Sequence, residues 1–319
     1  MLLRLRMVLA GVWLTWMVAL GAHAAPSVVI ISSEGSAAYG ETAQALTEEL
    51  ERSGVTRSSV LTMSTREWAD WRTQSARLYV TLGAEAAGLL AASAPAVPVL
   101  CALLPRSSYE AALLQHGRKA SSQFSALFLD QPPARQLELI RLALPGARRV
   151  GVLWGTGLSG DRSEFRAQAQ AVALSLLEAE VGSEEQLFPA LKQVLEGTDL
   201  LLAVPNPQIY NSRTVQNILL TSFRANVPMM AFSPAYVRAG ALLAVYVTPH
   251  QVGVQAAQLA RAVLQGKALA ASGAYSTDFQ IAVNEHVARS LGLSLDAPDA
   301  AKAFPCSTAR ASCAACTPT

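Results

Sequence analysis

The run Val227-Pro228-Met229-Met230-Ala231-Phe232-Ser233-Pro234-Ala235-Tyr236-Val237-Arg238-Ala239-Gly240-Ala241-Leu242-Leu243-Ala244-Val245-Tyr246-Val247-Thr248-Pro249 decides the fold. Its first part, residues 227–232, is a short apolar strand that reaches Ser233. A turn follows, Gly240 leads a second apolar strand, and Thr248, Pro249 and Gln251 form a helix start. The Thr and Gln side chains can reciprocally satisfy first-turn backbone groups, and Pro sits where a missing N–H costs least. The predicted helix runs to about residue 264 and stops at Gly266. Strand, turn, strand and capped helix in this order belong to an α/β chain with parallel sheets and crossover helices.

The alternation extends back to Ser27. Apolar, β-rich runs predict strands over residues 28–31, 60–62, 78–82, 97–103 and 124–129. Helices are predicted over 39–53, after the capping pair Ser64 and Glu67, and over 84–92 behind Gly83. Asp130 is placed as the cap of a helix over 135–144, with Pro132 and Pro133 in its first turn. That helix opens a second set, with strands over 149–154, 177–181, 200–204 and 227–232. Asp161 with Glu164 is expected to cap one helix between them, and Asn211 or Ser212 another over 214–224. A last strand (279–283) and helix (285–291) come next, and residues 297–319 show no periodicity and are expected to be a disordered tail.

The first 24 residues read as a cleavable export signal: Arg4 and Arg6, an apolar stretch from Met7 to Leu20, and the small-x-small site Ala22-His23-Ala24. No Cys follows for lipid attachment. Their removal takes two of the 25 basic residues and none of the 23 acidic ones, so the mature chain is balanced. A neutral surface argues against nucleic acid as a partner. Cys101, inside an apolar run, reads as a buried strand thiol. Cys313-Ala314-Ala315-Cys316 has metal or redox spacing, but with Cys306 it lacks the second pair or the His that would complete a site.

With Gln216-Asn217-Ile218-Leu219, Val252-Gly253-Val254-Gln255-Ala256-Ala257 and Val283-Asn284, the opening run resembles ABC-transporter substrate-binding proteins of the tryptophan/tyrosine-binding type. Gln136-Leu137-Glu138-Leu139-Ile140, Leu144-Pro145 and Arg149-Val150-Gly151-Val152-Leu153 look like that family's opening of the second lobe. The resemblance covers about residues 27–295. It implies a type I periplasmic binding protein: two Rossmann-like lobes with parallel sheets joined by a hinge, the chain crossing near Gln131, Val247 and Gly273. The lobes would be residues 25–131 plus 248–272, and residues 132–247 plus 273–296.

No catalytic constellation accompanies this pattern. His116, His250 and His286 lie beside no Cys or Glu at ligand spacing, and neither a His-Glu-x-x-His nor a Gly-x-Ser-x-Gly occurs. Gly151, Gly155 and Gly157 come after a strand, but their spacing is not that of a dinucleotide loop, and no cofactor or metal is expected.

Candidate contacts are instead the residues just past the carboxyl ends of strands, where open α/β sheets bind ligands. They are Ser32, Ser33, Gly83 and Arg106 in the first lobe, and Trp154, Asn206, Tyr210, Ser233 and Tyr236 in the second. Ser33 and Ser233 can equally cap helices, and Trp154 can be a stacking platform or pack against its own lobe. The chain departs from the family at Leu82-Gly83-Ala84-Glu85, Leu103-Leu104-Pro105-Arg106 and Pro205-Asn206-Pro207, where Thr-Pro, Thr-Asp-Pro-like and Asp-containing turns are usual. Losing those groups weakens an α-amino acid assignment, and Arg106 favours a carboxylate ligand if it points into the cleft.

The function expected is a monomeric, non-enzymatic periplasmic binding protein that captures a small-molecule ligand for an inner-membrane ABC permease. The alternatives are a sensory subunit signalling to a membrane receptor kinase, or an exported α/β enzyme. Genome neighbours would separate the first two.

Overall fold

The computed structural model describes residues 26–71, 76–156, 159–293 and 295. The expected signal peptide and the Cys-containing tail lie outside the described residues. The first sheet holds β1 (Val28–Ser32), β2 (Val60–Ser64), β3 (Leu78–Leu82), β4 (Val99–Leu104), β5 (Phe124–Phe128) and the late β11 (Ala274–Tyr275). The second holds β6 (Arg149–Gly155), β7 (Ser175–Val181), β8 (Leu200–Leu202), β9 (Met229–Ala231), β10 (Leu243–Tyr246) and β12 (Gln280–Val283). The strand orders match: β11-β5-β4-β3-β1-β2 and β12-β10-β9-β8-β6-β7. All pairings are parallel except β10 with β12.

Strands β3, β4, β5, β8 and β9 are buried along their whole lengths, which explains their unbroken apolar runs: helices cover both sheet faces. In the first lobe these are α1 (Ala37–Arg52), α2 (Thr65–Trp71), α3 (Ala84–Ser93) and α4 (Arg106–Gln115). In the second they are α5 (Pro133–Ala143), α6 (Ser159–Ala171), α7 (Glu184–Leu195), α8 (Val215–Arg224) and the short α9 (Pro234–Ala239). Helix α10 (Pro249–Leu264) returns to the first lobe, and α11 (Glu285–Ser290) closes the second.

Two expected caps are present. Ser64 and Glu67 exchange hydrogen bonds, with Ser64 N–H donating to Oε2 at 2.7 Å and Glu67 N–H to Ser64 Oγ at 3.2 Å. Thr248 and Gln251 form the full capping box of α10. That helix lies close on α1, where a Cβ on Gly253 would stand 2.5 Å from the Thr42 carbonyl oxygen. Only glycine permits this approach.

Several local expectations change. Helix α4 was not expected. Its cap comes from outside the segment, because the Arg106 N–H donates to Asp130 Oδ2 at 2.6 Å. Asp130 therefore caps α4 rather than α5, whose cap position is Pro132 with no side-chain bond. His116, assigned to a loop, is the C-cap of α4. Helix α6 begins at Ser159, ahead of Asp161. The cap position of α8 is Thr214, while Asn211 Oδ1 accepts from Arg213 N–H in the preceding turn. Where a turn was expected after Ser233, the six-residue α9 forms. Because β11 pairs with β5, the third crossing falls between Tyr275 and Gln280 rather than near Gly273.

Cys101 is fully buried in β4, and that burial pushes its thiol pKa up to about 12. Thiolate is the reactive form. Iodoacetamide at pH 8 should leave Cys101 unmodified in the native protein and alkylate it in denaturant, read by peptide mass mapping. Rapid native labelling would show that β4 opens.

Candidate functional site

The chain passes between sheets at three places: between β5 and α5, between β10 and α10, and between β11 and β12. Side chains tie these crossings together. Arg135 donates to Gln131 Oε1 at 2.6 Å and to the Ser276 carbonyl at 3.0 Å, with its guanidinium 4.2 Å from the Phe279 ring centre. Burial lowers its pKa to about 10, opposed by Asp278, so it stays cationic at neutral pH. Gln255 of α10 accepts from Ser276 Oγ at 2.8 Å and from Thr277 N–H at 3.0 Å. Tyr246 donates to Gln280 at 2.9 Å.

The strand order reverses between β1 and β3 in one lobe and between β6 and β8 in the other, the places where α/β sheets open a crevice. In the first lobe Tyr39 and Ser33 pack against Gly83 at that crevice. Ser33 is buried and accepts the Ala86 N–H at 3.0 Å, so it caps the start of α3. Gly83 has φ +91°, and a Cβ there would stand 2.6 Å from Tyr39 Oη and 2.7 Å from Ser33 Oγ. Ser32 ends β1 half-buried, in register with Leu82 and Ser64.

In the second lobe the candidates divide. Asn206 is buried, its Oδ1 accepting the Gln208 N–H at 2.9 Å, and its amide occupies the space beside Gly155. Trp154 corrects the stacking-platform expectation: it is 2% exposed, its indole N–H donates to Glu178 at 2.7 Å, and its ring meets Phe165 edge-on. It packs inside its own lobe. Tyr210 is buried edge-on against Phe232, and burial raises its phenol pKa. Its hydroxyl has no partner among the described residues. Tyr236 also packs on Phe232, with ring centres 4.9 Å apart. Ser233 occupies the cap position of α9 without a side-chain bond.

The lobes meet at the start of α4. Leu103, at φ +54°, sits at a register shift between β4 and β5, an irregularity that redirects the chain into Pro105 and α4. From that turn Ser107 Oγ donates to the Pro205 carbonyl of the other lobe at 3.2 Å. A cavity of about 440 Å³ opens beside this contact. One wall is a single face of α4, formed by Ser107, Ser108, Glu110, Ala111 and Leu114. The opposite wall is Thr156, Asn206, Pro207 and Gln208. Of the nine expected contacts only Asn206 lines it. The α4 face was missed with the helix itself, although Ser107, Glu110, Ala111 and Leu114 carry helical spacing.

Arg106 does not point a free guanidinium at this cavity. Its Nε donates to Glu110 Oε1 at 2.9 Å, one Nη approaches the Tyr275 hydroxyl at 3.0 Å, and the same Nη lies 3.6 Å from Glu164 Oε2 across the cleft. The ring of Phe128 is 5.8 Å away. The basis for expecting a carboxylate ligand is thereby removed, because carboxylates of the protein already occupy that cation. Among the described residues no group of three or more His, Cys, Asp or Glu is placed to hold a metal ion, and no helix is long and apolar enough to cross a membrane.

The family model described as ABC transporter substrate binding protein matches residues 57–303. No curated protein sequence matches. Among solved structures, an ABC domain from Streptococcus pneumonia in complex with L-Trp is 18% identical with a TM-score of 0.59, covering 86% of this chain and 98% of that one. A conserved domain protein from Vibrio cholerae is also 18% identical, with TM-score 0.61 and coverages of 86% and 97%. A ligand-free, open substrate-binding protein with adhesive properties from Clostridium difficile is 15% identical, with TM-score 0.63 and coverages of 85% and 96%. At these identities the likeness shows the two-lobed fold.

Proposed function

The chain belongs to the ABC transporter substrate-binding protein family, and on that premise we propose that it captures a small solute between its lobes and presents it to an inner-membrane permease. In this reading the protein is exported and acts outside the inner membrane, as its first 24 residues suggest. The observation that carries the reading is the cavity whose two walls come from different lobes, beside the Ser107–Pro205 contact.

Magnitudes support ligand-controlled closure. One cross-lobe hydrogen bond contributes about 1 kcal/mol, and a half-exposed ion pair such as Arg106–Glu164 at most about 1. A ligand bound at about 1 μM supplies about 8 kcal/mol. These two cross-lobe contacts together contribute far less than a solute touching both walls would.

Native mass spectrometry of the purified protein, followed by small-angle scattering with and without the released molecule, tests this. The expected result is one small molecule per chain and a smaller radius of gyration when it is bound. A protein that binds no solute from a broad metabolite library, with unchanged scattering, would overturn the reading.

A further inference from the structure

We infer that the interlobe cavity takes a solute carrying a cationic amine, with Glu110 as its counter-ion; this rests on the solute-capture reading above. Among the described residues Glu110 is the one charged side chain in the cavity wall, and its side chain is 37% exposed, open enough to meet a solute. Only Oε1 receives the Arg106 Nε–H. A carboxylate has about four acceptor positions, so one such bond leaves it able to accept from an ammonium.

The surrounding charge has the same sign. Arg106 is a single cation among Glu110, Glu164 and Asp130, the last accepting its backbone N–H. Glu110 and Glu164 are two carboxylates that share the one Arg106 guanidinium. A neighbouring cavity that shares Pro207 and Gln208 contains Arg213, but Glu184 Oε2 engages that guanidinium at 3.1 Å. Among the described residues no other basic side chain lines either cavity. An anionic solute would enter against this field, and a cationic one would be drawn by it.

The rest of the lining completes the description of the solute. Ser107, Ser108, Thr156 and Gln208 offer hydroxyl and amide groups, while Ala111 and Leu114 form an apolar strip on α4. The class that fits is a small amine with further hydrogen-bonding groups and a short hydrocarbon portion.

The test measures thermal shift and calorimetric titration with putrescine, spermidine and tryptamine against succinate and indole-3-acetate, for the wild type and for Glu110→Gln. At least one amine is expected to raise Tm and bind, the carboxylates are expected not to, and Glu110→Gln is expected to weaken amine binding at least tenfold. The substitution keeps the side-chain shape, and the unliganded variant should melt within about a degree of wild type, since a part-exposed ion pair contributes little to stability. If no amine binds, if a carboxylate binds more tightly, or if Glu110→Gln binds the amine unchanged, the inference falls. Scattering separates the two readings: a neutral or anionic solute that closes the lobes sinks the amine inference and leaves solute capture standing.

Discussion

Trp154→Ala should lower stability by about 3–5 kcal/mol, the range for removing a large aromatic from a packed core. The indole is 2% exposed, lies 5.4 Å from Phe165 between ring centres, and has the Arg162 guanidinium 5.8 Å from its ring centre. Truncation also removes the donor to Glu178, leaving that carboxylate with Arg166 at 2.7 Å. The cost therefore combines a cavity in the second lobe with a lost hydrogen bond. Denaturant titration followed by far-UV circular dichroism reads it as a large drop in midpoint. A variant with wild-type stability and weakened solute binding would show instead that the ring reaches the cleft.

Gly253 carries the second large effect. A Cβ at this position would lie 2.5 Å from a backbone oxygen, 2.7 Å from Ala45 Cβ and 3.0 Å from the Leu46 nitrogen. None of these is the far end of a flexible side chain, so α1 and α10 must separate to admit it. Gly253→Leu should cost more than about 3 kcal/mol, at or beyond the upper end of overpacking penalties. Gly253→Ala is the sharper comparison. In an exposed helix it would gain about 1 kcal/mol of propensity, and here the clash is expected to outweigh that gain. A Gly253→Ala protein that melts above wild type would show that the two helices have room to part. Since α10 is the chain's return into the first lobe, loosening it should also loosen the hinge bonds made by Gln255.

Much of the architecture was readable because its causes are local. Uninterrupted apolar runs such as Leu78–Leu82 mark strands covered on both faces, and the boxes Ser64/Glu67 and Thr248/Gln251 mark helix starts with groups only three residues apart. The family was also readable, since its motifs are mostly of this structural kind. Gly253 shows why: within Val252-Gly253-Val254 it looks like a weak point in a helix, and its role is the close approach of α1.

Most of the candidate site was not readable. Helix α4 escaped detection because its cap, Asp130, lies 24 residues further on and was assigned to the nearer helix. With α4 went the wall formed by Ser107, Ser108, Glu110, Ala111 and Leu114. Asn206, singled out by its position after a strand end, lines the interlobe cavity, but position alone could not tell that Ser33 would turn to the α3 amides or Trp154 to Phe165.

Periodicity and capping act over a few residues, and so the alternation of strands and helices, the two-lobed class and the family follow from the order of residues alone. Tertiary structure alone decided that Arg106 would meet Glu110, Tyr275 and Glu164, which come from its own helix, the third crossing and the opposite lobe. The charge of a cleft is a sum over side chains brought together from distant segments, and one-dimensional order does not contain their distances.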